Sequence, residues 1–295
     1  MPVLSALYTY PIKSCRGIVQ GEASLTSIGL AWDRHWMVVD SDGRFVSQRE
    51  YPSMARIVPM LTEADLLVHA ANMPMLSVSL DIGCGRNLRQ VTIWKDHLPA
   101  LDEGDLAAQW FSEVIGVSVR LVRFDDAVQR RVSARWTGGD AAFTQFADGF
   151  PLLVTVQESL DELNARLLAK GAPALPMDRF RPNLVLSGLE AYDEDFLNTI
   201  SIGADGAIVL RLVKPCARCP IPTIDQATGT RDSTWPNEPL DTMAVYRANR
   251  LVDGGLTFGQ NAIVVHGEGQ RLRTGTDLRY EWNFTENSSG AGVEG

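Results

Sequence analysis

The chain has 295 residues, 45% of them hydrophobic, enough to bury one large core or two modest ones, and two domains are expected. Its 27 basic residues are outnumbered by 36 acidic ones for a net charge of −9, which excludes a general nucleic-acid binder, whose face must be basic. A small anionic ligand stays compatible with that balance where cations converge locally. No apolar run reaches the ~18 residues of a membrane span, and Met1 to Tyr10 lacks the basic flank and apolar centre of a signal peptide. A soluble, cytoplasmic protein with reduced cysteines and no membrane association is therefore expected.

In chain order, residues 3–10 and 36–47 read as strands, the second pair turning at Asp42-Gly43 between Met37-Val38-Val39 and Phe45-Val46. Short strands follow at 57–61, 66–69, 76–80 and 90–94, a spacing that suggests a small antiparallel barrel or sandwich. A helix over Asp105–Ile115, with Ala108, Phe111 and Ile115 on one face and Gly116 as its stop, closes a first region, residues 1–117.

The stretch carrying Arg120, Arg123, Arg130, Arg131 and Arg135 reads as a solvated linker into a second domain, residues 118–270. There, Asp148-Gly149-Phe150-Pro151 leads into a strand at 152–156. Leu160, Leu163 and Leu167 then mark a helix that stops at Gly171. Phe180-Arg181-Pro182-Asn183 opens a strand at 184–186, and strands at 199–202 and 208–213 follow. A short helix over 243–246 and a strand over 256–265 interrupted by Gly259 complete the domain. The acidic run Asp193, Glu194 and Asp195 reads as a solvated loop, and the scattered tryptophans as core or interface packing. Residues 271–295 hold a last strand and a small, polar tail expected to be disordered.

The densest chemistry lies in Lys214-Pro215-Cys216-Ala217-Arg218-Cys219-Pro220-Ile221-Pro222-Thr223-Ile224-Asp225, which carries two of the four cysteines. The prolines forbid a helix after Cys219, so both thiols are expected on a rigid, extended loop. Four readings compete. The pair can be buried apolar residues, half of a zinc site, a reversible dithiol, or the source of one thiolate ligand made ionisable by Arg218. Zinc wants further paired ligands, and Cys15 and Cys84 stand alone. A thioredoxin-type dithiol wants a helix N-terminus that Pro220 and Pro222 deny.

Cys-x-Arg-Cys followed by Thr223, Asp225, Thr228 and Gly229 resembles the signature loop of MOSC-domain proteins, in the branch of the mitochondrial amidoxime-reducing component and its bacterial relatives. Tyr10-Pro11-Ile12-Lys13-Ser14-Cys15-Arg16-Gly17, then Asp33-Arg34-His35-Trp36, then Phe180-Arg181-Pro182-Asn183 recur in the same order, so the resemblance spans nearly the whole chain. It implies a β-rich α+β protein, an N-terminal small β-barrel domain followed by a mixed β-barrel domain with peripheral helices. It also implies molybdenum cofactor, with Cys219 as the thiolate ligand of the metal and the catalytic residue, and Cys216 as a neighbour that is not a ligand.

By the same carry-over, Lys13, Ser14, Arg34 and Arg181 line the pterin and phosphate pocket together with Asn183, Ala217 and Arg218. Asp148, Gly149 and Phe150 touch the cofactor through their backbones, as does Asn261 in the turn after Gly259. Here Gly149-Phe150 stands for Thr-Ser, Asn261 for Tyr and Ala217 for Ser, so side-chain hydrogen bonds of the relatives are lost. The implied reaction is two-electron reduction of N-hydroxylated compounds to the N–H form, with electrons from a separate ferredoxin-type or flavin-reductase-type protein. Pyridoxal phosphate binding is a further property attached to the family. The alternative is a carrier of molybdenum cofactor or sulfur without reductase activity. His35 and His266 are the candidate proton donors. The four cations and the Cys219 sulfur are expected to converge on one cavity near the domain junction.

Overall fold

The twelve-residue strand Gly255–His266 and the ten-residue strand Ile208–Ala217 pair antiparallel and form the spine of the protein. The structure, a computed structural model, describes residues 1–82, 87–203 and 205–283. Leu152–Val156, buried at every position, lies beside this spine, antiparallel to Gly255–His266 and parallel to Leu184–Ser187. A parallel pair needs a crossover, which the helix Gln157–Ala169 supplies. Leu160, Leu163 and Leu167 of that helix pack with Phe180, Val185, Met243 and Phe258, as their spacing requires. Among the described residues the resulting sheet has nine strands, edged by Leu278–Trp282 on one side and by Val3–Thr9 with Ile18–Gln20 on the other.

A second body of structure holds a four-stranded sheet in the order Trp36–Val39, Arg120–Phe124, Asp96–Asp102, Leu88–Ile93. The meander Val58–Leu61, Asp65–His69, Leu76–Ser79 and the helix Asp105–Ile115 pack around a core that includes Trp36, Phe111 and Leu121. Gly116 stops that helix at φ 87°, the left-handed geometry in which glycine is favoured. The architecture is strand-rich with few helices, as expected, and among the described residues no helix is long and apolar enough to cross a membrane.

The sheets do not respect a divide at 117/118. Val3–Thr9 belongs to the nine-stranded sheet through Leu184–Ser187, and Arg120–Phe124 joins the first-region sheet through Trp36–Val39. Arg271–Arg273 pairs back onto Glu22–Thr26, so residues 271–283 carry two strands rather than one. The expected tail beyond lies outside the described residues. The Asp42-Gly43 turn forms, Phe45 bridges Val39 antiparallel and the Val46 N–H donates to the Val38 carbonyl, while the Phe45 N–H donates outward to Thr92. The short helix falls at Leu240–Met243, just ahead of the expected 243–246.

Two expectations about charge are corrected. The arginine-rich stretch is not a solvated linker: Arg123 is fully buried, donating to Glu103 at 2.6 Å and to the Leu80 carbonyl. Arg130 holds Asp96 at 2.7 Å and the carbonyls of Gln145 and Asp148, and Arg120 grips Asp102 through two nitrogens. Only Arg131 and Arg135 of the five are exposed. The acidic run is likewise built in. Glu194 is fully buried and accepts from Ser159 at 2.7 Å, while Asp195 pairs with Arg247 at 2.7 Å. Each of these charges finds its partner across a sheet or a turn, which makes burial affordable.

Burial pushes the Glu194 carboxyl up to about 8, against the opposing Ser159 hydrogen bond and with help from neighbouring Asp195. The folded state therefore holds this proton more tightly than the unfolded chain does. The resulting stabilisation is complete below the ordinary value of 4.5 and is lost as pH rises toward 8. Glu194→Gln is expected to remove this decline. Urea unfolding of wild type and variant at about pH 5 and about pH 8 should show a difference that shrinks or reverses by a few kcal/mol at the higher pH.

Candidate functional site

A cavity of about 430 Å³ opens between segments of the nine-stranded sheet and loops of the four-stranded one. Four of its lining residues, Ser14, Arg34, Trp94 and Arg181, adopt φ of 65°, 50°, 55° and 56°, a left-handed backbone that costs about 1–3 kcal/mol outside glycine. Surrounding contacts hold each one there. The Lys13 N–H donates to the Trp36 carbonyl, the Gln48 side chain donates to the Ser14 carbonyl at 2.7 Å, and the Arg34 N–H donates to Tyr10.

Tyr10 is the centre of this arrangement. Its ring is buried, its N–H donates to Asp33, and the guanidinium carbons of Arg34 and Arg181 each lie 4.3 Å from its centroid. Arg34 is fixed further by Asp33 at 2.5 Å, the Asn183 side-chain oxygen at 3.0 Å and the Arg181 carbonyl at 3.1 Å. Asn183 also accepts the Leu153 N–H and donates to Tyr8, so it ties three strands together and acts as a positioning residue. Burial pushes the Arg181 guanidinium down, but an arginine stays charged over the working pH range.

Lys13 reaches the Phe146 carbonyl at 2.9 Å and Asp148 at 2.5 Å. Burial, opposed by Asp148 and reinforced by nearby Arg130 and Arg34, pushes its ammonium below the ordinary range. Burial acts to raise the Asp148 carboxyl, yet the charge and hydrogen bond of Lys13, with the Trp94 indole N–H at 3.1 Å, outweigh it and hold the group well below the usual range. The Asp148 side chain is 68% exposed, and that exposure opens into the cavity. Six cations and this single carboxylate line the cavity, in a chain whose net charge is −9.

The cysteine stretch differs from its expected form. The strand runs on through Pro215 and Cys216 to Ala217, with the proline seated at a bulge where its missing N–H costs the ladder nothing. A single 3-10 turn, Ile221–Thr223, does begin after Cys219, because a proline at a helical start lacks only an unneeded donor. Arg218 donates to the Cys216 sulfur at 3.1 Å and to the Phe180 carbonyl at 2.6 Å, while its buried Nε meets no partner among the described residues. Cys216 and Cys219 are both partly exposed on the cavity. Cys15 is fully buried, and burial pushes its thiol up to about 12, which leaves it inert. Cys84 lies outside the described residues.

All the sequence-derived site residues thus border one space, Gly149, Phe150 and Asn261 included. Among the described residues, the amides of Asp148, Gly149 and Phe150 meet no protein acceptor. The Asn261 side chain is tied to the Lys214 carbonyl. Neither candidate proton donor is here. His35 is packed against Trp32 and Trp36, burial pushing it down to about 4, and His266 is exposed at the far end of its strand. Asp225 is a turn former, accepting the N–H groups of Ala227 and Thr228. Sequence reasoning missed Phe45, Arg49, Trp94 and Lys214. Of these only Lys214 stood inside a quoted motif.

Comparison with known proteins finds matches over most of the chain. The MOSC N-terminal beta barrel domain matches residues 1–118 and the MOSC domain residues 141–279. Mitochondrial amidoxime reducing component 2 of Homo sapiens is 32% identical over 251 residues, covering 83% of this chain and 72% of that protein. Mitochondrial amidoxime-reducing component 1 of Mus musculus is 33% identical, covering 83% and 71%. Molybdenum cofactor sulfurase of Oryza sativa subsp. japonica is 30% identical over 87% of this chain but only 32% of its own length.

Gly17 explains part of the first motif. A Cβ added there would stand 2.4 Å from the Tyr10 ring, so glycine lets the ring lie under both guanidiniums. Gly17→Ala is expected to cost about 1–3 kcal/mol in urea unfolding. Tyr10→Leu in the same chain removes the clashing atoms, so the double variant should lose clearly less than the two single losses added; simple additivity would show that the contact does not exist.

Proposed function

The chain belongs to the MOSC-domain family, and from that premise we propose that it is a molybdenum-cofactor-dependent reductase of N-hydroxylated compounds. One observation carries the reading: the partly exposed Cys219 sulfur opens on the same cavity as Lys13, Arg34, Arg181 and Arg218. The donor set suits a phosphate-bearing group held through one thiolate. Free amides at Asp148 to Phe150, the orphaned Arg218 Nε and the excess of cations all favour an anion. Among the described residues no three His, Cys, Asp or Glu side chains come together, so a metal here would bring most of its ligands with it.

When bound, the cofactor supplies a two-electron centre for the chemistry. The protein's part is to hold and orient. Arg34 and Arg181, fixed on Tyr10, meet phosphate with planar forks that lose little freedom on binding. Arg218 donates to the Cys216 sulfur, while the resemblance assigns Cys219 as the sulfur that would bind the metal. In the net reaction R–NHOH takes up two electrons and two protons, the N–O bond breaks, and R–NH2 and water leave. The electrons come from a separate protein of the ferredoxin or flavin-reductase type.

Protein made in a host that supplies the cofactor should carry molybdenum and reduce benzamidoxime with a chemically reduced viologen. Cys219→Ala should lose nearly all the metal and at least about a hundredfold in rate, whereas Cys216→Ala keeps both within several-fold. Equal damage from both cysteines would point to a dithiol. Bound molybdenum with no reduction in the wild type would leave a carrier of cofactor or sulfur.

A further inference from the structure

Resting on the reductase reading, we propose that the substrate is a planar aromatic N-hydroxylated compound bearing an anionic group, received by Arg49 and Lys214. Four of the six cavity cations are already engaged by the protein: Lys13 by Asp148, Arg34 by Asp33, Arg218 by the Phe180 carbonyl, and Arg181 by Gln226 and the Tyr10 ring. These four are also the cations that the family resemblance gives to the cofactor. Arg49 and Lys214 are left over from both sets.

Their surroundings are aromatic rather than acidic. The Arg49 guanidinium lies 4.5 Å from the Trp94 ring centre and 5.7 Å from that of Phe45, and its Nε donates to Ser47. Its two terminal nitrogens meet no acceptor among the described residues. The Lys214 ammonium lies 5.5 Å from Trp136 and 5.7 Å from Phe150, again with no carboxylate in reach among the described residues. A cation paired only with rings keeps its charge for an incoming anion, and the ring backing orients an arginine fork edge-on to it.

The aromatic part of the substrate follows from Trp94. Its side chain is 47% exposed at φ 55°, an uncommon conformation for a large residue, on the turn between Leu88–Ile93 and Asp96–Asp102. Core packing does not account for it. Asp148 pins the indole by its N–H edge and Phe45 packs at 5.0 Å, which fixes the ring as a stacking platform at the cavity. Arg49 and Trp94 come from the smaller sheet's loops, Lys214 from a strand of the larger sheet and Phe150 from the loop that leads into it, so a flat, anionic substrate would be gripped from both sides.

The test uses cofactor-loaded protein and two pairs of probes: N4-hydroxycytidine with its 5′-monophosphate, and benzamidoxime with 4-carboxybenzamidoxime. In each pair the anion should raise kcat/KM by about tenfold or more at low salt and less at high salt. Arg49→Gln and Lys214→Met should each cut the anionic-to-neutral ratio by roughly three- to tenfold, and Arg49→Lys should restore part of it. A preference confined to one pair identifies phosphate or carboxylate as the group recognised. Turnover of both members of each pair at equal efficiency overturns this inference and leaves the reductase standing. A binding arm by calorimetry needs no turnover: cytidine 5′-monophosphate should bind at least about tenfold tighter than cytidine, and less so in the Arg49→Gln protein. If neither hydroxylated compound is reduced yet the nucleotide preference persists, the anion site stands and the reductase reading falls; equal binding of both ligands overturns the site.

Discussion

One phenol ring carries the site. Arg34 and Arg181 arrive from segments far apart in the sequence, and both come to rest 4.3 Å from the centre of the buried Tyr10 ring. Two guanidiniums so close repel each other, and three nearby backbones sit in a conformation unfavourable for their residues. The arrangement persists because every other component opposes that cost. Asp33 balances one charge, Asn183 and the Arg181 carbonyl receive two further N–H groups of Arg34, and Gly17 leaves room for the ring. The fold surrenders stability to place in the cavity more positive charge than Asp33 and Asp148 cancel.

That placement gives the cavity a sign opposite to that of the whole molecule. A cationic cavity in a chain of net negative charge favours the entry of small anions. Asp148 is the exception that tunes the interior, since it holds Lys13 and the Trp94 indole through one carboxylate oxygen. It thereby couples a residue of the deep cationic set to the exposed aromatic shelf.

Helices and motifs were readable because their signals are local. Asp105–Ile115 shows its period and its glycine stop within a dozen residues, and the four motifs hold Tyr10, Arg34, Arg181 and Cys219 at fixed short spacings. Buried charges were not readable. Arg123 finds Glu103, and Glu194 finds Ser159, across sheet or turn, so each looked like surface in its own neighbourhood. Arg49 and Trp94 were invisible for the same reason: their meaning lies in a contact between two loops. The exchange of strands between the two sheets was not readable for a different reason, because the strands that cross have ordinary strand sequences.

The crossing strand Val3–Thr9 has a consequence in time. Its partner, Leu184–Ser187, is made only after more than half the chain has left the ribosome, so the first strand must wait exposed or be shielded until then. Lys13 and Arg34 hang from that waiting segment, and their partners Asp148, Arg181 and Asn183 come late as well. The cationic pocket therefore assembles only once the segments carrying Asp148, Arg181 and Asn183 have followed Lys13 and Arg34 out of the ribosome.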